Sequence, residues 1–595
     1  MPNEHGHDEK SKKRKKKRSH AQMAKKFARQ RNHGSDVDAE TYQYMVRIFD
    51  LMKGDFPTAE EKLIFANNVY EQTIGHELDY ARNQLGSRIL DSLLKYANLE
   101  TIQRLVDALS GSNLRPLSSD RFASHVLQKI VVVCAGRGNK AEESNTEESS
   151  DASVKVEESE IASYNDIVLK LCRYFLNNIE EFVFDTYANH LLRTAIECLS
   201  GLIDKSEDNN KKKLTFGERR PVVQQYKDLL SQTCNRLLEW PRLLEFGQDE
   251  LTSGLLQSVL YSLKDVHPEI LEKFVQKITQ KCFQPGEGSR IFDAECSTRL
   301  LEVCVAVAEP KSLYKIYEDY FRGKLKALSI AHNTNFSVQR LMDHCAVKED
   351  FENIFEEVSA CFPEILKSGY TGVLVSAGNA CLRLRTKQGA FVTELLKALG
   401  CETNEKQRDI VTCLASLKSL EQLESLRKAD NSHPVICLHG SLIIQAILKF
   451  NKPIKIVNSL LEMNEEELVR ILEDPKGSRI VDAFMDSEYI GEKSREKFAK
   501  KFRGYWAQMA SSTHGSRCLD KMWQWARINQ RTLIMEELAA VGESLRSTKS
   551  GQIISNKLNV PLFARNKKDW METLGKEEKT KALFASIIGE SKKKK

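Results

Sequence analysis

A six-residue phrase that keeps returning constrains this chain more than any other feature. Gly86-Ser87-Arg88-Ile89-Leu90-Asp91 comes back as Gly477-Ser478-Arg479-Ile480-Val481-Asp482 and as Gly515-Ser516-Arg517-Cys518-Leu519-Asp520. Looser copies begin at Ala123, Ala188, Thr252, Ser297, Thr334 and Gly440, and two weak ones at Thr371 and Ser550. Marked by their second residue, the copies stand at 87, 124, 189, 253, 298, 335, 372, 441, 478, 516 and 551. Six of the ten steps lie between 35 and 38, a period that marks a solenoid of stacked supersecondary units. The steps of 65, 64 and 69 are too short to hide a missed copy and read as single repeats carrying insertions.

Around each phrase the apolar residues recur at helical spacing, as in Leu78, Ala81, Leu85, Ile89, Leu90, Leu93 and Leu94. No stretch shows the sustained alternation, bounded by turn residues, that a sheet requires. The expected fold is an all-α solenoid of about eleven repeats, two or three helices each, because one such unit cannot bury its own apolar face. Trp506, Trp523 and Trp525 read as packing residues of its final third.

The net charge of +6 conceals regions of opposite sign. Residues 1–33 hold twelve Lys or Arg against three acids, and Lys592–Lys595 add four positive charges. The stretch 142–160, with eight acids and one Lys, offsets much of this and leaves the repeats near neutrality. Any nucleic-acid surface on them is therefore a local patch. The layout expected is a basic disordered tail over 1–39, repeats over 40–565 interrupted by an acidic disordered insertion at about 137–160, and a C-terminal segment over 566–595 with its lysine tail. A second polar run, Asp204–Lys213, falls in the next long step. The run Lys10–Arg18 reads as a nuclear or nucleolar localisation signal and a flexible arm for phosphates.

The fourteen cysteines form no Cys-x-x-Cys, and without a secretory signal they read as reduced, buried small hydrophobes. His76-Glu77 lacks the second histidine of a zinc-protease helix, and no phosphate-binding or nucleophile-elbow motif is present. The sequence therefore predicts no enzyme, no metal and no cofactor.

On a helix the second and sixth phrase residues stack four apart on one face, the third lies beside them, and the fourth and fifth turn into the core. Amides there can pair with a base edge while a ring or guanidinium offers a stacking plane. The candidate RNA-binding residues are Ser87, Arg88 and Asp91; Ser124, His125 and Gln128; Asn189, His190 and Arg193; Ser253 and Gln257; and Thr298, Arg299 and Glu302. They continue with Asn335, Phe336 and Gln339; Ser441 and Gln445; Ser478, Arg479 and Asp482; and Ser516, Arg517 and Asp520. Arg193 suits a phosphate better than a base edge, as do Arg82 and Arg340 nearby. Helix capping accounts for a serine at a phrase start but not for the Arg, His or Phe beside it.

Asn335-Phe336-Ser337-Val338-Gln339 resembles the uracil-reading helix of pumilio-type (Puf) repeat proteins, and Ser124, His125 and Gln128 share that layout. Ser87-Arg88, Ser478-Arg479 and Ser516-Arg517 match the family's Ser-Arg pair, and Thr298, Arg299 and Glu302 its guanine-reading arrangement. The resemblance covers residues 40–565 and implies a right-handed α-solenoid, C- or U-shaped, that binds RNA. About eleven degenerate repeats behind a basic head are similar to a nucleolar subgroup of the family. That likeness implies a monomer binding small-subunit pre-rRNA, together with small-subunit assembly factors, and shielding the 3′-end cleavage site. The alternatives are the Puf-A branch, closer to large-subunit assembly, and a HEAT or armadillo protein scaffold. The polar triplet argues against the scaffold.

Overall fold

The computed structural model describes residues 37–54, 56, 58–139, 156–202, 219–283, 290–430 and 433–576. The basic head, the centre of the acidic insertion, the run Asp204–Lys213 and the lysine tail lie outside the described residues. Every named element among the described residues is a helix, and Leu202 and Arg219 form an isolated antiparallel bridge.

Each phrase lies at the start of its own helix. These helices are α1 (Gln84–Leu93), α2 (Ala123–Gly138), α3 (Ala188–Leu199), α4 (Glu250–Leu263), α5 (Glu295–Val307) and α6 (Asn335–His344). They continue with α7 (Gly372–Leu384), α8 (Leu438–Ile447), α9 (Ser478–Asp486), α10 (Gly515–Trp525) and α11 (Lys549–Lys557). A long helix and a short connecting one precede most of them, as Lys348–Ser359 and Phe362–Ser368 precede α7, whereas two nine-residue helices, Ile454–Glu462 and Glu465–Glu473, precede α9. The chain divides into two compact units, Met1–Val307 and Ala308–Lys595. Within the first, α1 to α5 pack each on the next; within the second, α6 to α11 do the same. Direct packing of α2 on α3, α3 on α4 and α7 on α8 makes each long step one repeat with an insertion. In the last case the insertion carries a helix, Leu420–Asp430.

In seven of the eleven repeats the residue that opens the phrase answers to a backbone carbonyl six residues earlier, while Gly440 abuts the Leu414 carbonyl that precedes the inserted helix. A Cβ added to Gly86 would come within 2.5 Å of the Tyr80 carbonyl oxygen, and one added to Gly515 within 2.8 Å of that of Met509. Gly477 and Gly551 abut the Ile471 and Leu545 carbonyls more closely still. Where the first residue carries a hydroxyl, it donates to the same carbonyl: Thr252 to Phe246 at 3.0 Å, Ser297 to Ile291 at 2.6 Å and Thr334 to Leu328 at 2.9 Å. Three residues earlier a short polar side chain caps the helix. Asp120 accepts from the Ala123 N–H, Asp185 from Ala188 and Asp474 from Gly477.

These contacts correct the register of the two weak phrases. Thr548 caps the Gly551 N–H, so Gly551 is a first residue and not a second. The marker there is Gln552, 36 residues after Ser516. In repeat seven Val373 and Leu374 are buried while Val375 is half-buried, which makes Thr371 the marker, 36 residues after Asn335. The fourth and fifth positions otherwise fill the core as expected, from Ile89 and Leu90 to Cys518 and Leu519.

Two element boundaries also differ from the sequence reading. Helix α2 runs through Gly138, and Arg137 is buried, donating to the carbonyls of Ala97 at 2.6 Å and Lys95 at 2.9 Å and to the Tyr164 hydroxyl at 3.1 Å. Positions 137–139 therefore belong to the repeats, as do the described residues from 156. At the far end residues 567–576 are helical, and Trp570 is buried against Phe563 and Trp523 with its indole N–H on the Leu558 carbonyl. That helix closes the last repeat.

Gly477→Ala is expected to lower stability by about 1–3 kcal/mol, because a backbone carbonyl cannot yield as a side chain can. Gly491→Ala, with nothing within 4 Å of the new Cβ, should change it by less than about 0.5 kcal/mol. Urea unfolding of the two variants measures the difference.

Candidate nucleic-acid interface

The phrase residues fall into a fixed burial order. In repeats one to ten the second residue is buried, the third is exposed unless it is Gly or Leu, and the sixth is half-buried. Arg88, His125, His190, Arg299, Phe336, Arg479 and Arg517 are thus all exposed. Phe336, a large ring on a polar helix face, is 56% exposed. The third position is glycine in repeats four and seven (Gly254, Gly372) and Leu442 in repeat eight.

The second residue differs from the expectation that it offers its side chain freely to a base. Asn189 donates to the Val183 carbonyl at 2.8 Å, Asn335 to those of Ala331 and His332, and Thr298 to Ala294 at 2.9 Å. Ser87, Ser478 and Ser516 bond to the carbonyls of Gln84, Pro475 and Thr513 in their own turns, while Ser124 is simply buried. Ser253 reaches the next repeat, donating to the Cys296 carbonyl at 2.8 Å, and Ser441 does the same to Lys476 at 2.7 Å. These bonds join neighbouring repeats, so part of the phrase's polarity serves stacking of the units.

The sixth residue completes the pattern. Gln257, Gln339 and Gln445 donate their amide N–H to Ser253, Asn335 and Ser441 at 3.2, 2.9 and 2.9 Å. Because the Ser253 and Ser441 protons already go to carbonyls, those oxygens can only accept, which sets the amide nitrogens of Gln257 and Gln445 toward the serines and their amide oxygens away from them. Other sixth residues lean on the phrase helix of the next repeat. Gln128 donates to the His190 carbonyl at 3.2 Å and to Thr194 at 2.8 Å, Arg193 donates to Ser258 at 3.2 Å, and Asp520 pairs with Lys557 at 2.6 Å. Asp482 lies 3.5 Å from Arg479. Glu302 is half-buried beside exposed Arg299, whose guanidinium pairs with Glu295. Burial raises the Asp91 carboxyl above its usual range, and Lys129 and His125 of the next repeat pull it back.

Thr194, Ser258 and Lys557 are the seventh residues of their repeats, and Lys129 is another. Apart from Arg340 this position is not singled out in the sequence, because its partner is a whole repeat away; its only signal is a polar residue just after the phrase. Arg82 lies 3.7 Å from Asp120, and Arg340 is exposed. The third and sixth residues of successive repeats thus make a strip of planar, cationic and amide groups along each unit, set above buried apolar rows.

A family model described as NOP9-like PUF repeat domain matches residues 75–553. Nucleolar protein 9 of Homo sapiens is 25% identical over 93% of this chain and 91% of its own length. Pumilio homolog 23 of Arabidopsis thaliana is 24% identical over 94% of this chain and 76% of its own. A solved structure described as APUM23-GGAAUUGACGG superposes with a TM-score of 0.70 at 22% identity, covering 90% of this chain and 99% of that one, a likeness of fold.

Ser441→Ala removes the part-buried bond to the Lys476 carbonyl, so a loss of about 0.5–1.5 kcal/mol is expected. Arg517→Ala, at an exposed edge, should stay within about 0.5 kcal/mol. Thermal unfolding of both variants tests the division between stacking and edge positions.

Proposed function

Because the chain belongs to the NOP9-like PUF repeat domain family, we propose that it works as an RNA-binding protein of the nucleolus. The observation that carries this reading is the strip itself. Seven of eleven third positions are planar or cationic and all seven are exposed, an arrangement suited to stacking on bases and unneeded by a surface that only packs protein. The sixth residues add amide and carboxylate groups within reach of base edges. Selectivity comes from these groups, while phosphate contacts, helped by the basic head, supply a share of affinity that falls with salt.

The RNA is pre-ribosomal, from the small-subunit precursor, and the protein acts without catalysis. By occupying the strand it shields the 3′-end cleavage site during small-subunit assembly, alongside assembly factors. Nucleolar relatives and the Arg/Lys-rich head support this placement.

Sequencing of RNA crosslinked to the protein in cells should yield a peak in the small-subunit rRNA precursor. Peaks confined to messenger RNA would sink the ribosomal reading, and no enrichment over background would sink RNA binding altogether. With RNA selected from a randomised pool, Phe336→Ala should weaken binding by about 1–3 kcal/mol. Asn335→Ala with Gln339→Ala should relax preference at one position, and equal weakening on every RNA would remove the base-reading role. Deleting residues 1–33 should mislocalise the protein and leave that preference intact, as imaging and the same selection would show.

A further inference from the structure

We propose that Arg193 is the stacking residue of repeat four, not the reader or phosphate contact of repeat three. The inference rests on the RNA-binding reading above. Repeat four has a glycine at its third position, Gly254, and so brings no stacking group of its own. Its neighbour fills the gap. A Cβ built on Gly254 would meet only the guanidinium of Arg193, with Nη1 at 3.1 Å and Cζ at 3.6 Å. The guanidinium therefore lies where the side chain of a third residue would begin. Its position is held by a relay, since Arg193 Nε donates to Ser258 Oγ at 3.2 Å and Ser258 donates to Glu197 Oε1 at 2.7 Å.

A guanidinium is planar and weakly hydrated, and it stacks on bases as an ammonium does not. Turned toward repeat four, it no longer faces the edge of the base at repeat three. In the first unit the series of platforms then runs unbroken: Arg88, His125, His190, Arg193 and Arg299. Repeat seven provides the contrast. Gly372 is covered in the same way by Gln339, whose amide atoms would lie 2.7–2.9 Å from an added Cβ, yet that amide carries no charge and donates one of its two N–H groups to Asn335. Glycine at the third position thus has one geometry and two chemical outcomes.

The test measures binding of the full chain to an RNA chosen by the wild-type protein from a randomised pool, with 2-aminopurine placed at each position in turn. Arg193→Lys keeps the charge and loses the plane. About tenfold weaker binding is expected, with loss of fluorescence quenching at one position and no change in salt dependence. The double variant Arg193→Ala with Gly254→Arg restores the plane from its ordinary place, in space the first change has vacated, and should recover both affinity and quenching. Wild-type binding by Arg193→Lys, joined to a salt slope reduced by about 0.7 in Arg193→Ala, would make the residue a phosphate contact and overturn the proposal. Failure of the double variant to recover quenching would overturn it too. Failure of the wild-type chain to select any RNA would instead remove the RNA-binding reading itself.

Discussion

Seven of the eleven repeats share one close approach, that of the first turn of the phrase helix to a carbonyl six residues upstream. That carbonyl lies at the end of the connecting helix, where backbone acceptors lack partners within their own helix. A first residue with a hydroxyl satisfies it directly, as Thr252, Ser297 and Thr334 do. A glycine lets the chain come so near that no side chain fits, as at Gly86, Gly477, Gly515 and Gly551. Glycine in a helix costs roughly 0.5–1 kcal/mol, so its recurrence marks where contact outweighs propensity. Once this turn is seated, a slip of one residue would rotate every following side chain by about 100° and empty the core of its fourth and fifth residues.

What was legible in the sequence follows from that constraint. The period, the helical class and the single-repeat nature of the long steps were readable because apolar pairs recur in the same place relative to a small residue. The register was readable only where the first residue was unmistakable. In repeat eleven the sequence reads Gly551 as a second residue because small residues occupy both places, and only the fold brings it against Thr548 and the Leu545 carbonyl. The second residue misled in another way. A serine such as Ser441 has the same chemistry whether it faces RNA or the Lys476 carbonyl, and the choice is made by a repeat 35 residues further on. Aromatic residues divided similarly: Trp506 and Trp523 pack as read, whereas Trp525 is exposed beneath the Arg495 guanidinium at 4.2 Å.

The positions of a repeat thus carry separable duties. The first, fourth and fifth residues hold the unit together, the second ties it down or links it to its neighbour, and the third, sixth and seventh line the edge. Separation explains how the edge can vary through arginine, histidine, phenylalanine, leucine and glycine while the helices stay in step. It also accounts for a near-neutral body. Edge cations such as Arg299, Arg479 and Lys557 are met by Glu295, Asp482 and Asp520, so the strip offers planes and hydrogen-bonding groups more than a field of net charge.

Hydrogen bonds already present along the strip bear on how it would read a base. At Gln257 and Gln445 the amide is turned by a chain of bonds that starts at a carbonyl of the next repeat, passes through a buried serine, and ends with the amide oxygen facing away from that serine. An acceptor fixed in this way needs no reorientation when a base N–H arrives, which spares part of the side-chain ordering that binding otherwise costs. The orientation is set by stacking of repeats and not by the helix that carries the glutamine. The edge group that one repeat presents is therefore set by two repeats.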